Sequence, residues 1–253
     1  MSKNKKRKMI RKGKEESIIE RLEEYIIPVY PEWKERRVPA SEEKIAEWNK
    51  KCGKLLPEAY LQYLKYMGEG DGEFLSGALQ AETRLSEIMK WYEEEEINLQ
   101  KIGFAILEIG YGEKWYIVTK ENGKQSIGTD FRNNFEGEEY AESFEKMLCQ
   151  EAYFRYESKY YRYRNYIPRD DEKSEELIRR LEKDIFEEVE RKSKKYGFEK
   201  AWYSDRSHYI GIKENMSFYI NRRNGIEIRG DIRGENLEEV EGMRKRFQEF
   251  LEE

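Results

Sequence analysis

Histidine is almost missing from this chain of 253 residues, where His208 stands alone. One imidazole cannot give a metal paired histidine ligands, and a histidine-activated nucleophile would have to rest on this residue inside a predicted strand. His208 therefore reads as an ordinary strand position. Cysteine is nearly as scarce: Cys52 and Cys149 sit in helical patterns, match no metal-ligand spacing, and point to a reduced, cytoplasmic protein. No apolar run approaches the length of a membrane span or a signal-peptide core, so no membrane partner is expected. The glycines from Gly68 to Gly72 are not followed by Lys-Ser or Lys-Thr, and Asp71 with Glu73 lacks the other carboxylates of a calcium loop. These absences exclude the commonest catalytic signatures; the expectation is a protein that is not an enzyme and uses no cofactor.

Charge and aromatic rings are plentiful. Charged residues make up 40% of the chain and aromatic ones 14%, so heavy surface charging is offset by rings able to fill an interior. The net charge of -5 is unevenly spread. Residues 1–14 carry eight Lys or Arg and no acid, whereas residues 41–158 hold 14 basic against 24 acidic side chains, a net of -10. Residues 159–253 balance at 22 against 22. The opening block lacks apolar periodicity and reads as a disordered basic tail. The strongly negative middle speeds encounter with basic partners and repels nucleic acid.

Residues 55–75, LLPEAYLQYLKYMGEGDGEFL, join a helix to a glycine-rich corner. Pro57 suits a helix start, and Tyr60, Leu61, Leu64 and Met67 recur at the spacing of one buried face. Upstream, Ile18 to Ile26 reads as a helix, Trp33 to Pro39 as a connector, and Ser41 as the cap of a helix carrying Ile45, Trp48 and Cys52. Downstream, Ser86 is expected to cap a helix ending in the acidic run Glu93 to Glu96. From Lys101 the period becomes extended through KIGFAILEIG, KWYIVTK and KQSIGT, with Asn122-Gly123 as a two-residue hairpin signal. Ser143-Phe144 then opens a closing helix.

The Leu-Pro-acidic-x-Tyr start, the glycine corner, the strand from Ile102 to Gly110, the strand from Glu113 to Thr119 and the ESFEKML helix resemble the SUKH superfamily over roughly residues 41–158. Its bacterial members are mostly immunity proteins, and its fungal relatives regulate cell-wall synthesis. The corner departs from that pattern, with Met67-Gly68-Glu69-Gly70 where relatives usually carry Asn-Gly. The resemblance implies an α+β fold, an antiparallel sheet flanked by helices, and a cytoplasmic role in binding and neutralising a toxin domain. Composition agrees with a cationic partner, such as a nuclease. Glu69, Asp71, Glu73, Glu113, Trp115, Asp130 and Glu136, around the corner and the strand ends, are the expected partner-binding residues, although Trp115 also suits a core position.

After the closing helix, Tyr153, Tyr156, Tyr160 and Tyr163 recur at three- and four-residue steps, which predicts a tyrosine-rich helical stem ended by Pro168. Arg155, Lys159, Arg162 and Arg164 interleave with these rings in a composition that also suits single-stranded RNA; periodicity favours the stem. Ser174 is expected to cap a helix with Ile178, Leu181, Ile185 and Val189 inward. Strands at KAWYSD, HYIGIK, MSFYINRR and IEIRGDIR follow, with Ile226, Ile228 and Ile232 on a buried face and Glu227, Arg229, Asp231 and Arg233 on a wet one. Asn236 opens a last helix with Val240, Met243, Phe247 and Phe250 inward. The expected organisation is a tail over 1–14, a SUKH-like domain with its stem over 15–168, and a small α+β domain over 169–253. A non-enzymatic scaffold or regulatory adaptor is the alternative function.

Overall fold

A computed structural model describes residues 17–53, 56–94, 103–109, 113–120, 122–131, 139–167, 185–223 and 227–252. The basic tail, Glu136, Ser174 with most of its helix, and Asn224-Gly225 lie outside the described residues. The chain is α+β, with antiparallel sheets flanked by helices, and divides into two compact units: Glu16–Tyr156 and a second containing Glu157–Glu253.

In the first unit α1 (Ile18–Ile26) opens on Ser17, whose hydroxyl accepts from Glu20 N while the Glu20 carboxylate accepts from Ser17 N. This reciprocal cap satisfies two donors that the first turn leaves orphaned. A single turn, α2 (Trp33–Arg36), leads into the two-residue strand β1 (Arg37–Val38). Helix α3 (Glu42–Lys51) is capped by Ser41, and α4 (Glu58–Met67) follows Pro57. The inward face of α4 is Tyr60, Tyr63, Leu64 and Met67; Leu61 is half-buried. Tyr63 completes the i, i+3, i+4, i+7 set that the sequence reading left one member short. Tyr60 sits at the middle of the core, its ring 6.3 Å from Phe104 of the sheet and 5.0 Å from Phe144 of the closing helix.

Strand β2 (Gly70–Asp71) pairs with β1, and the turn α5 (Ser76–Leu79) and helix α6 (Leu85–Glu94) follow. Ser86 lies inside α6 rather than capping it, and its hydroxyl donates to Glu69. The main sheet is a meander of β3 (Phe104–Ile109), β4 (Glu113–Thr119), β5 (Gln125–Phe131) and β6 (Glu139–Ala141), in that order. The β4–β5 turn is longer than the two-residue hairpin expected, since Lys120 N donates to Lys124 O and Gly123 takes φ +77°. Asn-Gly serves this three-residue geometry as well, because it too needs a left-handed residue before the second strand. Ser143 caps α7 (Phe144–Arg155).

The expected stem does not form. Helix α7 stops at Arg155, a 3₁₀ turn covers Glu157–Tyr160, and the chain enters strand β7 (Tyr163–Ile167), an edge strand of the second unit's sheet. The division between units therefore falls at Tyr156 rather than Pro168. Helix α8 (Ile185–Lys195) ends at Gly197, φ +81°. The strands β8 (Glu199–Lys200), β9 (His208–Lys213), β10 (Met216–Arg223) and β11 (Glu227–Gly234) complete a five-stranded sheet in the order β7-β11-β10-β9-β8. One face of it carries Tyr209, Phe218, Ile220 and Ile232, buried with Phe186 and Val189 of α8 and with Val240, Met243, Phe247 and Phe250 of α9 (Leu237–Glu252). Asn236 caps α9, its side-chain oxygen accepting from Glu239 N at 3.1 Å. On the other face Asp231 and Arg233, expected in water, are buried. They tolerate burial as a pair: Arg233 Nε donates to Asp231 Oδ1 at 2.6 Å.

Candidate functional site

The glycine corner is built around a buried carboxylate. Asp71 is 1% exposed; its Oδ2 accepts from Leu75 N (2.7 Å) and Ser76 N (2.9 Å), and its Oδ1 from the Ser76 hydroxyl (2.5 Å). Its backbone carbonyl accepts from the Trp33 indole at 2.8 Å. Gly72 presses on the same ring: at φ +65°, a Cβ there would stand 2.6 Å from Trp33 Cδ1. Asp71 thus ties β2 to the turn that follows. It is not offered to a partner, which corrects the expectation from sequence.

The neighbouring acids are partly engaged. Glu69 accepts from Lys44 Nζ at 2.9 Å and from the Ser86 hydroxyl at 2.6 Å, and its side chain is largely covered. Glu73 alone of the three projects outward, its side chain 58% exposed and 2.9 Å from Arg36 Nη2. Its backbone takes φ +69°, a left-handed conformation that costs a non-glycine residue about 1 kcal/mol or more. Two large apolar side chains of the elements that build the corner are exposed, Val38 of β1 at 50% and Tyr66 of α4 at 52%. The Arg37 guanidinium lies 4.6 Å from the Trp33 ring centre and 5.9 Å from that of Tyr66, while its Nη2 donates to Glu23 at 3.1 Å. Trp33, Arg36, Arg37, Val38 and Tyr66 escaped the sequence reading. For all but Tyr66, which lies in α4, the signal was the composition of the connector, which holds a tryptophan and three cations and is richer than a plain linker requires.

The strand residues behave differently. Trp115 is a core residue, buried and packed on Tyr140 with ring centres 4.1 Å apart. Its indole N–H donates to Glu113 at 3.0 Å, so the half-buried Glu113 satisfies a buried donor. Asp130 is placed by register opposite Lys114 on β5. Among the described residues no hydrogen bond or ion pair links the corner acids to Glu113 or Trp115.

Among the other described residues little reactive chemistry converges. His208 is buried, its ring parallel to Tyr219, with Nδ1 3.6 Å from Asp205 Oδ1. That same oxygen accepts from Ser207 N and His208 N, both at 2.9 Å, a loop-closing arrangement with the carboxylate fixed by backbone donors. Burial pushes the Cys52 thiol up to about 12, far from the thiolate that a nucleophile needs. Among the described residues no group of three His, Cys, Asp or Glu could hold a metal ion, and no helix is long and apolar enough to cross a membrane. An open-sided groove of about 530 Å³ between the β9–β10 turn and α9 is lined by Lys213, Glu214, Glu238, Glu239 and Arg246 among others. Both charge signs meet there without a converging reactive set.

No family model, curated protein or solved structure matches the chain.

Proposed function

We propose that the protein acts by stoichiometric binding, as a cytoplasmic immunity protein of the SUKH kind that captures a cognate toxin domain and blocks it. Support comes from the order of elements in the first unit, a Leu-Pro helix, a glycine corner, a four-stranded meander and a Ser-Phe helix, together with the net charge of -10 over residues 41–158. The observation that carries the reading is Glu73. An exposed carboxylate is held at positive φ, where glycine would relieve the strain, on a corner braced by Asp71 and Trp33. Strain retained at an exposed, rigid point is a mark of a working surface. Tyr66 and Val38 supply the desolvated centre that an interface needs, and the Arg36–Glu73 and Lys44–Glu69 pairs supply its polar rim. The acidic body steers a basic partner, and the apolar pair holds it.

Co-expression with a library of bacterial toxin domains tests this. The chain should relieve the lethality of at least one, and Tyr66→Ala should reduce that rescue by speeding dissociation about tenfold or more, as expected for a central aromatic anchor. A library in which no toxin is relieved would favour the adaptor instead.

A further inference from the structure

We propose that the outer edge of the second unit's sheet binds single-stranded nucleic acid through Arg162, Arg164 and Tyr166. The proposal uses none of the corner residues and does not rest on the toxin-binding reading. Along β7 and the residues before it, burial alternates strictly: Tyr161, Tyr163, Asn165 and Ile167 are buried or half-buried, while Arg162, Arg164 and Tyr166 are exposed. Alternate residues of a strand project to one side about 7 Å apart, so Arg164 and Tyr166 share one side of β7, and Arg162 stands in the bend just before the strand. Tyr166 is the most exposed large hydrophobic side chain described, at 63%.

This edge is pre-organised. Arg164 lies with its guanidinium carbon 4.7 Å from the Tyr166 ring centre, and its Nε and Nη2 donate to Asp231 Oδ2 at 3.2 and 2.7 Å. The buried Arg233 grips the same carboxylate from behind, so Arg164 is fixed through Asp231 while 44% of its side chain stays exposed. Arg162 stands over the Tyr163 ring at 5.3 Å and makes no ion pair among the described residues. Cations that track phosphates, beside a ring on which a base can stack, are what a sequence-tolerant single-strand site requires. The competing account is that arginines merely guard an open sheet edge against pairing with another strand. That account explains the charges but not a ring left bare beside them.

Fluorescence anisotropy on the full chain separates the two, using fluorescein-labelled oligouridylate and oligodeoxythymidylate of about twelve nucleotides, within the usual site range, and an RNA duplex of equal length. Saturable binding of the single strands is expected. Tyr166→Ala removes no charge, yet should weaken single-strand binding about fivefold or more through lost stacking. Tyr166→Phe should restore it, and duplex binding should be unmoved by either change. Arg162→Glu should weaken binding further and flatten its salt dependence. Because Tyr166 is exposed, an unchanged melting temperature certifies the fold of these variants. Absence of single-strand binding, as when the edge instead receives a protein segment, would overturn the proposal. So would binding indifferent to Tyr166→Ala and Arg162→Glu, which would assign it to the basic first 14 residues. The two oligonucleotides decide between RNA and DNA as the occupant.

Discussion

Two acids two positions apart at the corner have opposite uses. Asp71 is buried and accepts three hydrogen bonds, so Asp71→Ala should lower stability by about 2–4 kcal/mol in denaturant melts, the cost of stranding buried donors at a charged acceptor. Glu73 is exposed at positive φ, so Glu73→Gly should leave stability unchanged or raise it by up to about 1 kcal/mol, because relief of strain offsets a surface ion pair of little worth. The same replacement should weaken toxin capture. Stability and capture moving together at Glu73 would mean that its carboxylate serves the fold. From sequence the two acids look alike, because burial depends on Trp33 closing over the corner from another element.

Buried titrating groups set the response to alkali. Burial raises Cys52, Tyr156 and Tyr209 to about 12, from ordinary values of 9.0 for the thiol and 10.0 for the phenols. The folded state therefore keeps protons that the unfolded chain loses, so their contribution is intact below about pH 9 and falls as pH rises toward 12. Urea midpoints should hold steady through neutral pH and decline across that window, and Cys52→Ala should remove the earliest part of the decline. A midpoint that rose with pH there would contradict the assignment.

At the scale of elements, most helices were legible because caps and apolar spacing are local signals. Ser17, Ser41 and Ser143 each accept from the backbone N–H three residues on. The tyrosine segment was misread because rings at three- and four-residue steps imitate a helical stripe. A second period lay over the same residues: Tyr161, Arg162, Tyr163 and Arg164 alternate, and pairing with β11 makes that period of two decisive. Tyr163 and Tyr166, an odd number of residues apart, end on opposite sides of the strand. The charged face of β11 also alternates as expected, but alternation names a face without saying whether water reaches it, and Asp231 and Arg233 are buried. The start of β3 gives a sharp test of strand geometry. Gly103 takes φ +100°, and a Cβ there would stand 2.1 Å from Ile117 O, so Gly103→Ala should cost more than about 2 kcal/mol and speed amide exchange across β3 and β4. Exchange unchanged from wild type would place the strand entry elsewhere.

For the whole molecule, the charge partition was readable by counting, whereas the surface that uses it was not. Five of the seven residues nominated from sequence have described side chains, and they divide into a buried brace (Asp71), a half-covered acceptor (Glu69), a core ring with its satisfying acid (Trp115 and Glu113) and one outward carboxylate (Glu73). The proposal that remains is steering by a net of -10 over residues 41–158 and anchoring by Tyr66 and Val38. Raising salt should therefore slow association with the toxin while leaving its dissociation nearly constant. The account's central claim is that the protein occupies its target and transforms nothing. Titrating the chain into a fixed amount of the rescued toxin, with residual toxin activity as the readout, tests this most directly. The account predicts a linear fall to zero at one molar equivalent, the same after short and long incubation; activity destroyed progressively by a small fraction of an equivalent would contradict it.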